Sequence, residues 1–226
     1  MKKFTQHITV SAIACIMACT GEFVTLFIFG AYYPGYNHLK DTMSTLGASV
    51  SPVSDEISIW WVIMGLLLIF FGTGFRKAFS EKGLYAKVAS WLIMLYGFGE
   101  GISSGAFKAN RIANALTISG IIHDILGGIG VTAILLLPLI MQKVVTKNEM
   151  PVFFRMSKII FITGIITVFL FLFRYLPNEN NFFTVYKGLW QRLFMLNAYT
   201  YLTTIAILMI KKDKRYKRPL SLKKPN

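Results

Sequence analysis

The feature that most constrains this chain is an apolar stretch of about 20 residues that recurs along it, broken by short polar or basic connectors. Such a run can cross a hydrocarbon core of about 30 Å as a helix. Hydrocarbon offers no partners to backbone N–H and C=O groups, so a spanning segment must be a helix or part of a closed barrel. A barrel requires shorter alternating segments, and none is visible. Six apolar runs stand out, at about Ile8–Ala31, Ile57–Phe75, Leu84–Ser104, Ala115–Met141, Ser157–Leu176 and Leu189–Ile210. The expected fold class is an all-α membrane protein, a six-transmembrane-helix bundle. With 226 residues, 54% of them hydrophobic and 19 of them Phe, the chain suits one membrane domain over residues 1–210 and a basic tail over 211–226.

A formal charge of +14 in a soluble chain points towards nucleic acid, but here the cations lie in connectors and tail. Six spans put both termini on one side. Lys2, Lys3, Arg76, Lys77, Lys82, Lys87, Lys143, Lys147, Arg155, Lys158 and the tail then share that side, against Lys40, Lys108, Arg111 and Lys187 opposite. The positive-inside rule makes the basic side cytoplasmic, so both termini are expected on the cytoplasmic side of the cell membrane, the cytoplasmic membrane. The tail reads as disordered and orienting, a partner for anionic headgroups. Aromatic interleaving is almost absent from it, so no nucleic-acid partner is expected. Cys15 and Cys19 fall on one face of the first apolar run and read as small packing residues. The start Met1-Lys2-Lys3 and the stretch Ile16-Met17-Ala18-Cys19 loosely resemble a lipoprotein signal. The apolar run continues to about Ala31, however, so cleavage there would halve a spanning helix.

The longest break between spans is the outer loop, residues 32–56. Pro34-Gly35 signals a turn, and Asp41-Thr42-Met43-Ser44 suits the cap of a short interfacial helical turn. Asp55 and Glu56 sit just before the second span, and Trp60-Trp61 at its start read as interface anchors. The third span carries Gly97, Gly101 and Gly105, a small-xxx-small stripe that lets another backbone approach and is a candidate for self-association. Pro151 can start a helix, and the fifth span is expected to end at Pro177, before the polar Asn178–Asn181 loop.

Alternating directions place nearly all the ionisable residues within spans in the outer half of the bundle. Glu22, Glu100, Arg174, Gln191 and Arg192 are the candidate ligand-binding residues, with His123 and Asp124 shallowly below the outer surface. Charges within spans are expensive and normally face a partner, a cavity or the bundle interior. A polar pocket roofed by the loop is therefore expected. Ser44, His123 and an acid, Asp41 or Asp124, have the residue types for acyl transfer, though without a G-x-S-x-G elbow. His38, Asp41, His123 and Asp124 could ligate zinc only if the loop folds down over the fourth span. No tight ligand motif is present, so no metal is expected. Haem is not expected either, because only His123 lies at bilayer depth, and no other cofactor is indicated. A proton-coupled carrier would use such acids and His, but no internal repeat is visible.

The loop sequence Pro34-Gly35-Tyr36, followed by Asp41-Thr42-Met43-Ser44-Thr45-Leu46-Gly47-Ala48, resembles the signature of the domain of unknown function 998 family of prokaryotic multi-spanning membrane proteins. His123 with its Gly-rich run, and Gly188-Leu189-Trp190-Gln191-Arg192, resemble that family's later motifs. Many members carry a Phe-Pro pair after the third span, where this chain has Phe107-Lys108. The resemblance implies that Asp41, Ser44, Gly47, His123 and Arg192 form one constellation, and it names no substrate. Three functions stay open. One is binding or carriage of a lipid or small amphiphile, with Arg174 and Arg192 on an anionic headgroup. The second is an intramembrane lipid hydrolase or transferase using Ser44, His123 and Asp41 or Asp124. The third is a structural subunit associating through the glycine stripe.

Overall fold

Backbone groups in an apolar solvent close their hydrogen bonds within the segment, and the long apolar runs of this chain accordingly fold as helices. The computed structural model describes residues 2–112, 115–176 and 180–217. Helix α1 is Lys2–Ala31, α2 Ser54–Ala78, α3 Leu84–Tyr96, α4 Ile118–Val144, α5 Pro151–Leu172 and α6 Lys187–Lys217. Five of the six, all but α3, are long and apolar enough to cross a membrane. The α3 helix is 13 residues long, but it runs without a break into a seven-residue π-helical segment, Gly97–Ser103, and a last α turn, Ser104–Ala106.

The helices form a ring. Each packs on its neighbour in sequence, and α6 closes the ring against α1. Glycines set the closest approaches. A Cβ on Gly97 would lie 2.8 Å from the Gly65 carbonyl oxygen, one on Gly101 would lie 2.4 Å from Gly65 Cα, and one on Gly105 would lie 2.4 Å from the Ser58 carbonyl oxygen. The stripe read as a self-association face is thus filled by α2 of the same chain. Gly99 turns the other way, onto the Leu126 carbonyl and Gly130 of α4. One glycine-rich segment therefore packs between two helices at backbone contact.

One end of the ring gathers the start of α1, the end of α6 and the connectors before α3 and α5. His7 bonds Thr73, Thr9 donates to Asp213, Lys82 pairs with Glu149 at 2.5 Å, and Lys212 pairs with Glu81. Helix α6 continues to Lys217, so residues 211–217 extend the last helix where a disordered tail was expected; residues 218–226 lie outside the described part. Pro177, Asn178 and Glu179 also lie outside it. Helix α5 begins at Pro151 in its first turn, six residues before the expected Ser157. Asp55 and Glu56 fall inside the first turn of α2, not ahead of it. Residues before α4 form a small antiparallel hairpin, Arg111–Ile112 with Ala115–Leu116, where continuous helix was expected from Ala115. Cys15 and Cys19 are free thiols buried in the core, as packing residues are.

Candidate functional site

The other end of the ring carries the 32–53 loop. Its short 3₁₀ turn, Met43–Thr45, lies over the start of α6. The Thr42 side chain does not cap this turn; its hydroxyl bonds those of Ser44 at 3.0 Å and Thr45 at 3.1 Å. The loop is attached chiefly by two consecutive α6 residues. Gln191 Oε1 accepts from the Met43 N–H at 2.7 Å. Arg192 donates to the Asp41 carbonyl at 2.9 Å, the Tyr36 hydroxyl at 2.5 Å and His38 Nδ1 at 3.2 Å. The Leu189 N–H adds a bond to the Leu39 carbonyl at 2.9 Å. A Cβ on Gly188 would lie 2.3 Å from the Asp41 carbonyl oxygen, so only glycine leaves room for the loop there. The Asp41–Ala48 and Gly188–Arg192 motifs are therefore two halves of one clamp.

This changes the assignment of several residues. Arg192, expected to hold a ligand, is occupied by the loop, and Gln191 uses its oxygen there while its side chain also borders the cavity described below. Asp41, a candidate orienting acid, accepts the Asn37 N–H at 2.7 Å and points into its own loop. Arg192 donating to His38 Nδ1 requires a neutral His38. Burial first, and then the guanidinium charge, hold the His38 pKa below its ordinary 6.5. Burial raises the Tyr36 phenol above its ordinary 10, against the opposing pull of Arg192.

Beneath the loop, the ring encloses a cavity of about 140 Å³. All six helical elements contribute to it. The polar lining is Glu22 from α1, Glu100 and Ser104 from the glycine-rich segment, His123 and Asp124 from α4, Arg174 just after α5, Gln191 from α6 and Ser44 from the loop. The apolar lining includes Met64, Met195 and Phe194 inside, and Val131, Val168 and Leu172 on the α4–α5 side. The pocket thus collects Glu22, Glu100, His123, Asp124, Arg174, Gln191 and Ser44, but neither Asp41 nor Arg192.

Glu22 is buried, at 1% exposure, and each of its oxygens is held by an indole. Trp60 donates to Oε2 at 2.7 Å and Trp61 to Oε1 at 3.1 Å. The pair read as interface anchors therefore has a second task, and Trp61 is buried at 4% exposure. The Trp61 ring also lies against Gly47, where a Cβ would come within 2.3 Å of it, which explains the glycine of the loop motif. The signal in sequence was a lone acid on one span facing consecutive tryptophans on the next, the strongest neutral N–H donors an apolar helix carries.

Glu100 sits in the π-helical segment, a distortion frequent at functional sites. The widened turn directs its carboxyl over Gly127, where a Cβ would lie 2.9 Å from Oε1. Among the described residues no side chain or backbone group donates a hydrogen bond to it. His123 Nδ1 meets the Phe107 carbonyl at 2.8 Å; a carbonyl only accepts, so Nδ1 carries the proton and Nε2 is left as an acceptor. Lys108 donates to Ser54 Oγ at 2.8 Å and to Asp55 at 2.6 Å. Arg174 pairs loosely with Asp124 at 3.7 Å, donates to the Tyr175 hydroxyl and stacks on Phe171 with its guanidinium 4.1 Å from the ring centre. Its Nε is buried without an acceptor.

Chemically, the cavity presents carboxyl groups, a guanidinium, a side-chain amide and an imidazole in an apolar shell. Ser44 and His123 share it, but Ser44 bonds Thr42 and His123 bonds Phe107, with no contact between the two among the described hydrogen bonds. No group of three or more His, Cys, Asp or Glu side chains suited to a metal occurs among the described residues. No curated protein and no solved structure matches the chain. The family described as Protein of unknown function (DUF998) matches residues 17–208. With its loop motif and its α6 motif joined in one clamp over the cavity, and with that match spanning most of its length, the chain belongs to this family.

Proposed function

We propose that this protein is a six-span protein of the cytoplasmic membrane, termini inside, that binds or carries a lipid or small amphiphile with the polar head in the cavity. The observation that carries the reading is the cavity's two-sided lining. Ionisable groups face it from the ring interior, while Val131, Val168 and Leu172 close the α4–α5 side. That side is thin. A Cβ on Gly128 would meet nothing within 4 Å, and only 11% of the most apolar stretch of α5 is buried, against 50% for α2. An amphiphile's chain has a route there along an apolar surface. A cavity of about 150 Å³ holds a molecule the size of benzene, so this one suits a headgroup and not a whole lipid.

The sixth span in this reading is the continuous helical run 84–106, which at 1.5 Å per residue reaches roughly 35 Å. The orientation rests on charge. The end that gathers the start of α1 and the end of α6 also carries Arg76, Lys77, Lys143 and Lys147, which the positive-inside rule assigns to the cytoplasm and to anionic headgroups.

Native mass spectrometry of the purified protein tests the binding. A bound amphiphile is expected in the wild type and lost in Gly128→Leu, which fills the gap without removing a polar group. Retention of the same amphiphile by Gly128→Leu and by Arg174→Ala would sink the proposal. A cysteine placed at Ser49 should react with an impermeant thiol reagent from outside intact cells, and one at Lys147 should not; the reverse pattern would invert the orientation.

A further inference from the structure

The polar lining of the cavity has donors and acceptors that do not cancel. Glu22 is satisfied by two indoles, and Asp124 has Arg174 and the Tyr175 hydroxyl. His123 offers a bare Nε2. Two groups are left over. The Glu100 carboxyl faces the cavity with no donor among the described residues, and Arg174, on the same lining, has only a loose ion pair to Asp124 at 3.7 Å. Three carboxyl side chains and one guanidinium line the cavity. A buried carboxyl needs a hydrogen-bond partner, and among the described residues none donates to Glu100.

We infer that the cavity takes a zwitterionic head, an ammonium against Glu100 with Glu22 behind it, and a phosphate-like oxygen against Arg174. An ammonium brings donors and one positive charge, which suit the Glu100 carboxyl and the free Nε2 of His123, with the indole-bonded Glu22 on the same lining. An anionic oxygen completes Arg174, whose fork already leans on Phe171 and Asp124. A purely anionic head, the choice suggested by two arginines, would meet three acids and only one available guanidinium, because Arg192 is committed to the loop. A purely cationic head would leave the Arg174 guanidinium with only its loose pair to Asp124. The methionines Met64 and Met195 and the ring of Phe171 suit the short methylene bridge of an aminoalkyl phosphate. This assignment rests on the amphiphile reading above and names its headgroup.

The test uses the full chain in a neutral sugar detergent, so that the micelle brings neither ammonium nor phosphate. Three probes are titrated: dihexanoyl phosphatidylethanolamine, its N-acetyl derivative, and free O-phosphoethanolamine. The wild type is expected to bind the first at least about tenfold more tightly than the second, because acetylation removes the cation while keeping the phosphate and the chains; the Glu100→Gln comparison separates the charge from the added acetyl bulk. Glu100→Gln should bring the two within about threefold of each other. Equal binding of both lipids by the wild type would overturn the zwitterion assignment and leave the amphiphile reading standing. Binding of neither lipid, with free phosphoethanolamine also silent, would overturn both. Free phosphoethanolamine binding as tightly as the lipid would support the head chemistry and overturn the amphiphile reading in favour of a soluble ligand. The wild-type comparison does not depend on the variant folding.

Discussion

Replacing Arg192 with Ala should release the outer loop while leaving the ring of helices intact. The side chain makes three bonds from α6 to the loop, to the Asp41 carbonyl, the Tyr36 hydroxyl and His38 Nδ1. Hydrogen bonds to charged groups are worth about 1.5–3 kcal/mol each in net terms. Three of them would give roughly 4.5 kcal/mol at the low end, but the loop is partly exposed and water can replace some of the lost donors. A value of about 2–3 kcal/mol for loop docking follows, a factor of roughly 30 to 140. Hydrogen exchange reads it directly. The Met43 amide is held by Gln191, so it reports on docking, whereas the Leu189 amide is shared between the Leu39 and Tyr186 carbonyls and keeps the second without the loop. Met43 should exchange roughly 30- to 140-fold faster in Arg192→Ala, while Leu68 and Ile93, fully buried in α2 and α3, should not change. Arg192→Lys keeps the charge but cannot reach three acceptors from one fork, and should recover less than half of the protection. Exchange at Met43 within threefold of wild type would refute the clamp and return Arg192 to the pool of ligand-binding residues.

Other perturbations probe separate joints. Gly47→Ala drives a Cβ to 2.3 Å from the Trp61 ring, and should cost about 1–3 kcal/mol in detergent unfolding; an unchanged midpoint would mean the loop is not seated on Trp61. Gly101→Ala meets Gly65 Cα at 2.4 Å, a backbone contact that cannot turn aside, so it should lower the unfolding midpoint with no change in oligomeric state; dissociation of an oligomer instead would restore the self-association reading. His38 has a folded pKa below its ordinary 6.5, so the unfolded loop binds the proton more readily. Loop docking should be full above about pH 6.5 and weaken as pH falls through the folded value, by less than about 1 kcal/mol at this exposure, and His38→Gln should flatten that dependence. Glu149, held down to about 2 chiefly by the Lys82 hydrogen bond, should contribute stability above pH 4.5 that is lost as pH falls towards 2. Glu149→Gln would remove that small acid-side slope, and an unaltered slope would show the pair to be idle.

Depth is legible in a sequence of this kind because each helical residue advances the chain by about 1.5 Å. Counting residues from the connectors therefore put Glu22, Glu100, His123, Asp124, Arg174 and Gln191 at one level, and they border one cavity. Rotation about each helix axis is another matter, since it is settled by which neighbour packs where. Arg174 and Arg192 are the same residue type at similar depth, yet one faces the cavity and the other faces a loop that Gly188 admits. Trp60 and Trp61 looked like anchors because their position fits an interface, and their indoles instead converge on Glu22. The glycine stripe announced a close approach but not whose backbone would make it; α2 of the same chain does. The widened π turn was also out of reach, because it depends on hydrogen bonds shifted by one residue, which local spacing does not announce; it lies where α2 and α4 close on the glycines. Composition and hydropathy thus established that the chain is built of long apolar helices and roughly where they lie. The meeting of those charges in one cavity, and the locking of one arginine away from it, came from tertiary contacts that no local spacing encodes.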